Sequence, residues 1–113
     1  MRMWKVPTEV LCNQHLLGEH CEMHMFIGCI ENDISITGYI DKGLVEFHNI
    51  INRHDELAIE MLKRGMNHKS PLTGVITGDE IGYVDSEQNI KELKRRCIKC
   101  KERIEKCQIN QNV

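Results

Sequence analysis

The feature that most constrains this fold is a 15-residue stretch without proline, residues 14–28, which is rich in both histidine and glutamate. At 100° per residue, an α-helix over this stretch has one polar and one apolar side. The polar side, within about 100° of arc, contains Gln14, His15, Gly18, Glu22 and Met25, and the apolar side contains Leu16, His20, Met23 and Ile27. The apolar side can face a core, and the polar side fits either a site on a rigid element or an ordinary solvated face.

Length and composition indicate one domain, residues 1–113. A chain of 113 residues with 41% apolar residues can bury a core without disulfides or metals. No apolar run has the length of a membrane span or of a signal-peptide core. We therefore expect a cytoplasmic protein without a membrane partner, and we expect it to be a monomer.

Charge is distributed unevenly along the chain. The formal net charge is −2, yet residues 91–106 contain eight basic and three acidic residues, a local charge of +5. The basic residues are Lys91, Lys94, Arg95, Arg96, Lys99, Lys101, Arg103 and Lys106. A basic surface on an otherwise acidic protein is compatible with a nucleic-acid partner.

The six cysteines allow disulfides or a metal site, but their spacing favours a different interpretation. Steps of three and four residues, typical of the buried seam of one amphipathic helix, separate Ile90, Leu93, Cys97, Cys100, Ile104 and Cys107. Buried free cysteine behaves as a small apolar side chain. Cys97 and Cys100 also have the spacing of half a zinc site, but no second pair follows them. Core cysteines are favoured, no metal site is assigned, and metal binding by this pair stays open.

The rest of the sequence predicts an all-α, compact three-helix domain with irregular connecting loops. The helices are expected at about residues 13–30, 45–64 and 85–106. Thr8 or Asn13 can cap the first helix, and Gly65 can end the second. Asp85 can cap the third, with Gln88 as its capping-box partner.

Two connecting segments complete this prediction. Residues 1–7 should form an extended lead-in, since the residue before Pro7 avoids helix, and Trp4 and Val6 should anchor it on the core. Residues 34–44 contain two glycines and should form an irregular loop.

Two blocks of the sequence are more specific than a generic amphipathic helix. Residues 14–22 fit the pattern Gln-His-Leu-x-x-Glu-x-x-Glu, and residues 60–67 read Glu-Met-Leu-Lys-Arg-Gly-Met-Asn. Both blocks resemble the pyrimidine-dimer DNA glycosylases of the phage endonuclease V type, whose second helix ends in Leu-Lys-Arg-Gly-aromatic-Asn. They lie on the expected helices in the expected order, and the first aligns without gaps from the amino terminus to Gly28.

The resemblance implies a DNA glycosylase with lyase activity at abasic sites. In that family, the α-amino group of the mature N-terminus attacks the sugar C1′ and forms an imine, while a helix glutamate assists the sugar chemistry. Carried to this chain, the amine belongs to Met1, the glutamate is Glu22, and Arg2 matches an arginine that contacts DNA. The bulky Arg2 side chain also favours retention of Met1.

Elementary chemistry is consistent with these roles. The reference pKa of an α-amino group is about 7.7–8.0, which leaves a sizeable neutral, nucleophilic fraction near pH 7. A carboxylate facing the sugar can stabilise positive charge at C1′ and can transfer protons. These steps need no cofactor, and we expect none.

The predicted partner is double-stranded DNA with a damaged, modified or abasic nucleotide. The residues expected to contact it, largely through phosphates, are Arg2, Gln14, His15, Lys91, Lys94, Arg95 and Lys99. His54 and His68 could contribute, but ordinary polar surface residues are the favoured interpretation of both.

The chain departs from the family pattern at two places. Where members that act on pyrimidine dimers carry arginines beside the catalytic glutamate, this chain has Cys21 and Met25. Those members also end in an aromatic-rich tail, whereas residues 107–113 contain no aromatic residue. The lesion or base that is recognised therefore stays open.

Two alternatives to the enzyme hypothesis also stay open. His20 and His24 have the i, i+4 spacing of two metal ligands on a helix, although the sequence offers no obvious third ligand. The scaffold could instead serve as a DNA-binding or protein-interaction module without catalysis, as the missing arginines and tail would suggest.

Overall fold

The computed structural model describes residues 1–73 and 78–111. Within these ranges the chain is all-α and contains no strand, which confirms the predicted class. It has five helices rather than three, together with short 3₁₀ turns at Thr8–Val10 and Phe47–Asn49. The helices are α1 (Asn13–Glu31), α2 (Thr37–Asp41), α3 (Ile50–Lys63), α4 (Ser86–Arg96) and α5 (Ile98–Gln111). None of the described helices has the length and apolar character needed to cross a membrane.

The first predicted helix is confirmed to within one residue at its end. Its N-cap, however, is Cys12 rather than Thr8 or Asn13, and the Cys12 sulfur accepts a hydrogen bond from the backbone N–H of His15 at 3.5 Å. Thr8 instead begins the preceding 3₁₀ turn. The apolar side predicted for this helix is buried against α3: Leu16, His20, Met23 and Ile27.

The second predicted helix starts later than expected because the side chain of Glu46 is bound to residues outside this helix. Glu46 has extended backbone angles and a buried carboxylate that accepts hydrogen bonds from the Lys5 ammonium and the Val84 backbone N–H, each at 2.9 Å. The helix ends as predicted at Gly65, which adopts φ +79°. The apolar stripe expected for this helix consists of Ile50, Leu57, Met61 and Leu62; the first three are buried, whereas Leu62 is 58% exposed. Residues 34–44, expected to be irregular, contain the short helix α2.

The third predicted helix is broken in two at Cys97. Asp85 caps α4 as predicted, accepting a hydrogen bond from the Gln88 backbone N–H at 3.1 Å. Cys97 then adopts an extended conformation, with φ −134° and ψ 112°, before α5 begins. Neither glycine nor proline lies at this break, so the local sequence does not encode it. The change of direction brings Cys97 and Cys100 towards the start of α1, as described below.

The N-terminal segment lies across the core and is held along its length. Trp4 and Val6 are buried, which confirms them as anchors. The backbone N–H of Met3 donates to the Leu44 carbonyl at 2.6 Å, and the Asn89 amide donates to the Trp4 carbonyl at 2.7 Å. These contacts fix where the chain begins relative to α1 and α4.

Candidate active site

The structure brings the amino terminus and Glu22 together. The backbone N–H of Arg2 donates to Oε2 of Glu22 at 3.1 Å, so the carboxylate lies beside the residue that follows the α-amino group. Met1 is half-buried and packs against the core, and Glu22 is half-buried on α1. Gly18, one turn earlier on the same face, has no atoms within 4 Å of the position that a Cβ would occupy. Backbone, carboxylate and open space therefore meet at one location.

The Arg2 side chain is held by the protein. Its guanidinium carbon lies 3.8 Å from the centre of the Trp4 ring, and its Nη2 donates to Oδ1 of Asn89 at 2.7 Å. Burial lowers the pKa of Arg2, and the nearby positive charge of Arg96 lowers it further. Asn89, which the sequence reasoning missed, thus positions both Arg2 and the backbone of Trp4. No short sequence motif identifies it, because its partners lie more than 80 residues away.

A second carboxylate of α1, that of Glu19, has both oxygens bound in a buried ion pair. Arg53 on α3 donates to both oxygens of Glu19, at 2.6 and 3.0 Å, and both side chains are almost completely buried. Arg53 also donates to the Val6 carbonyl at 2.9 Å. Burial lowers the pKa of Arg53, but the bonds to Glu19, together with a bond to the exposed Glu56 at 3.0 Å, outweigh this effect and raise it above its ordinary value. The pair joins α1, α3 and the N-terminal segment.

The structure supplies the partners that the sequence did not reveal for His20 and His24. His54 of α3 and His68 lie against them, with ring centres 4.6 Å apart for His20–His54 and with Nε2 atoms 3.0 Å apart for His20–His68. His54 is buried, so its expected place on the surface is wrong. Desolvation, together with the neighbouring imidazoles, lowers the pKa of His20 to about 4. We call these four residues the histidine cluster.

A separate cluster of sulfur and nitrogen atoms lies at the start of α1 and the start of α5. It consists of Cys12, His15, Cys97 and Cys100, whose potential ligand atoms all lie within 4.8 Å of one another. Burial raises the pKa of Cys100 to about 12. We call this group the cysteine–histidine cluster. Its first half, Cys12-x-x-His15, is visible in the sequence, but nothing there pairs it with residues 85 positions later.

The predicted DNA contacts on α4 and α5 fall into two groups. Arg95 is exposed but pairs with Glu92, and hydrogen bonds from Arg95 and Arg96 lower the pKa of Glu92 to about 2. Among the described residues, Lys91, Lys94 and Lys99 form no ion pair. The charges of these three predicted contacts are therefore available to a polyanion.

Gln14 and His15, the two predicted contacts on α1, have different surroundings. Gln14 is exposed and shares a surface cavity of about 260 Å³ with Lys99. His15 is half-buried, contacts the Trp4 ring edge-on at 5.9 Å between ring centres, and turns Nδ1 towards Cys12. Burial lowers the pKa of His15. Gln14 and Lys99 are thus brought to one surface, and one side of the His15 ring is directed inward.

Fold, N-terminal geometry and basic helices together fit a small all-α protein that acts on nucleic acid. A family model described as pyrimidine dimer DNA glycosylase matches residues 1–74, more than half of the chain. The chain therefore belongs to the pyrimidine dimer DNA glycosylase family, a family of enzymes whose substrate is DNA. The matched region includes the amino terminus, Glu22 and Arg53, and it ends before α4. No curated protein and no solved structure matches the chain.

Proposed function

We propose that this protein is a DNA glycosylase with abasic-site lyase activity, in which the α-amino group of Met1 is the nucleophile and Glu22 assists the sugar chemistry. The observation that supports this proposal most directly is the 3.1 Å hydrogen bond from the Arg2 backbone N–H to Glu22. The bond supports the proposal because Arg2 directly follows the terminal amine, and Glu22 forms no ion pair among the described residues.

The anchored N-terminal segment supports the same role. A nucleophile is effective when its position is fixed before the substrate binds, because the entropy of orientation has already been lost. The segment is restrained at two neighbouring residues: the Met3 N–H donates to the Leu44 carbonyl, and the Trp4 carbonyl accepts from the Asn89 amide. The amine thus sits at the end of an ordered segment rather than of a free tail.

The chemistry at an abasic site follows from these groups. The neutral amine adds to the C1′ aldehyde of the opened sugar, and loss of water with uptake of one proton gives a protonated imine. Glu22 can accept the proton lost from C2′, after which the C3′–O bond breaks and the 3′ phosphate leaves. On a nucleoside, the same amine would displace the base from C1′, with the carboxylate stabilising the positive charge at that carbon.

The surroundings of Glu22 favour a substrate other than a pyrimidine dimer. Cys21 and Met25, which replace the arginines of dimer-acting members, are both exposed and cannot bind phosphate by charge-assisted hydrogen bonds. Lys91, Lys94 and Lys99 remain for sequence-independent phosphate contacts. We propose an abasic site or a modified base as the substrate.

Borohydride trapping tests the covalent step. Incubation with duplex DNA that contains one abasic site should give, after reduction of the imine, a secondary amine that links Met1 to C1′. Mass spectrometry of the digested product should place the link on the N-terminal peptide. Protein with an acetylated or extended N-terminus is the matched control, and it should bind the DNA but form no adduct.

Each outcome of this experiment is informative. An adduct on a lysine, or an equal yield from the acetylated protein, would exclude the terminal amine as nucleophile. Binding of abasic, undamaged and dimer-containing DNA without any adduct would support the non-catalytic binding module instead. The same panel of duplexes identifies the preferred lesion by the relative yields.

A further inference from the structure

We propose that Cys12, His15, Cys97 and Cys100 form a structural zinc site that joins the start of α1 to the start of α5. The inference does not depend on the proposed enzymatic function. It departs from the preference for core cysteines that the sequence alone favours. Two of its four residues lie outside the part of the chain that the family model matches.

The distances within the cysteine–histidine cluster agree with those between the ligands of one tetrahedral ion. Bonds of about 2.3 Å to sulfur and about 2.0–2.1 Å to nitrogen place such ligand atoms about 3.5–3.8 Å apart. Nδ1 of His15 lies 3.2 Å from Sγ of Cys12 and 3.5 Å from Sγ of Cys100. Sγ of Cys12 lies 3.9 Å from Sγ of Cys97. The atoms therefore need little movement to enclose an ion.

The spacing along the chain is also that of zinc ligands. Cys12-x-x-His15 and Cys97-x-x-Cys100 each place two ligands three residues apart, at the first turn of a helix. Three cysteines and one histidine complete the four positions of a structural site and leave none open for substrate. The donor set of soft thiolates and one imidazole selects zinc over hard cations such as magnesium.

Backbone N–H groups point at the sulfurs in a way that would stabilise thiolates. The N–H of Cys12 donates to Sγ of Cys100 at 3.3 Å, and that of His15 donates to Sγ of Cys12 at 3.5 Å. Hydrogen bonds to metal-bound atoms orient the ligands and strengthen a site. Cys12 and Cys100 are buried, while Cys97 and His15 are half-buried, so an ion could enter from the exposed side.

Zinc binding would also account for the break at Cys97. An uninterrupted helix from α4 into α5 would satisfy the local sequence, which has no glycine or proline here. Bending the chain brings Cys97 to Cys12, a contact of two thiols that by itself offers little stabilisation. An ion bound by four ligands would offset the lost helical hydrogen bonds, since metal binding to a folded site contributes directly to folding free energy.

The zinc site would also fix the position of Gln14 relative to Lys99. Gln14 lies between Cys12 and His15, and Lys99 lies between Cys97 and Cys100. Both line the cavity of about 260 Å³ on that surface. A zinc ion behind them would hold these two predicted DNA contacts side by side.

The first experiment measures metal content and ligand type in the full-length protein. Elemental analysis of protein refolded with Zn²⁺ and passed through a desalting column should give one zinc per chain. Co²⁺ in place of zinc should give tetrahedral absorption bands and an intense thiolate-to-cobalt charge-transfer band. Absence of bound metal would overturn the proposal. A cobalt spectrum without the charge-transfer band would overturn it too, because the ion would then lie in the histidine cluster.

Substitutions locate the ion. Cys97→Ser and Cys100→Ser should each weaken Zn²⁺ binding by at least roughly 10–100-fold. Loss of an outer-shell partner already has an effect of that size, and each of these substitutions removes a direct ligand. Cys21→Ser, an exposed cysteine of α1 away from the cluster, is the matched control and should bind zinc as the wild type does. Equal affinity of Cys97→Ser and wild type would contradict the assignment. If a variant fails to fold, the cobalt spectrum of the wild type still decides between thiolate and imidazole ligands.

Discussion

Glu19 and Glu22 lie one turn apart on α1 and belong to the same sequence pattern, but their surroundings differ. Glu19 is buried with both oxygens bound to Arg53. Glu22 is half-buried and receives, among the described residues, one hydrogen bond, from the Arg2 backbone N–H. A buried carboxylate with both oxygens bound to an arginine is not accessible to a substrate, whereas a half-buried carboxylate with one oxygen that receives no hydrogen bond from the described residues can accept or donate a proton. The comparison separates a structural glutamate from a chemically available one.

The largest effect is expected for Glu19→Gln, which removes the buried partner of Arg53 and leaves its guanidinium, among the described residues, with the exposed carboxylate of Glu56 as its remaining ion-pair partner. Removal of one partner of a buried ion pair costs about 3–5 kcal/mol in the free energy of unfolding. Urea denaturation followed by circular dichroism measures this loss. The double variant Glu19→Met/Arg53→Met should recover much of the stability, since apolar residues can replace such a pair. A stability loss below about 1 kcal/mol in Glu19→Gln, within the range of exposed pairs, would show that the pair is not structural.

The next effect is expected for Glu22→Gln, and it should fall on activity alone. Strand cleavage at an abasic site should slow about 100-fold, or about 2.7 kcal/mol of activation free energy, because glutamine cannot take up the C2′ proton. The amide oxygen can still accept the Arg2 N–H, so the N-terminal segment keeps its place. Single-turnover cleavage and urea denaturation, measured on the same preparation, separate the two properties. Cleavage at the wild-type rate would remove Glu22 from the mechanism.

The smallest of the three effects concerns His20. Like Glu19 it is a buried titratable residue of α1, but unlike Glu19 it has no opposite charge beside it in the part of the chain that the structure describes. Its pKa of about 4 in the folded protein lies below the ordinary value of 6.5. As the pH falls from about 6.5 to about 4, the unfolded chain therefore binds a proton that the folded chain does not, and stability decreases. The loss should be on the order of 2 kcal/mol and should end near pH 4. The lowered pKa values of Glu46 and Glu92 stabilise the fold above the ordinary value of 4.5, and this contribution is lost as the pH falls below it, so it overlaps only the acidic end of the His20 window.

Thermal melts between pH 7 and pH 4 measure this dependence. His20→Gln should be less sensitive to pH in this window, while His48→Gln, outside the histidine cluster, serves as the control and should keep the wild-type slope. An identical slope in wild type and His20→Gln would refute the role of His20.

The comparison also shows how far the sequence could predict the candidate site. The pattern at residues 14–22 contains both glutamates but does not say which of them forms the buried ion pair. That depends on Arg53, 34 residues from Glu19, and the sequence gives no local sign of their pairing. Likewise, the sequence shows the i, i+4 pair of His20 and His24. It does not show their neighbours His54 and His68, which reach the pair through the tertiary structure.

The sequence by itself determined the helical class, the bounds of α1, the capping of α4 by Asp85 and the end of α3 at Gly65. These features depend on residues within one or two turns of each other, so periodicity and capping are sufficient to predict them. It also carried the family pattern that ends at Glu22. Three features depend on the tertiary structure alone: the late start of α3 after Glu46, the division of the last predicted helix at Cys97, and the contact between Cys12 and Cys100. Each of these depends on contacts between distant residues, whose free energy outweighs the local preference of the chain.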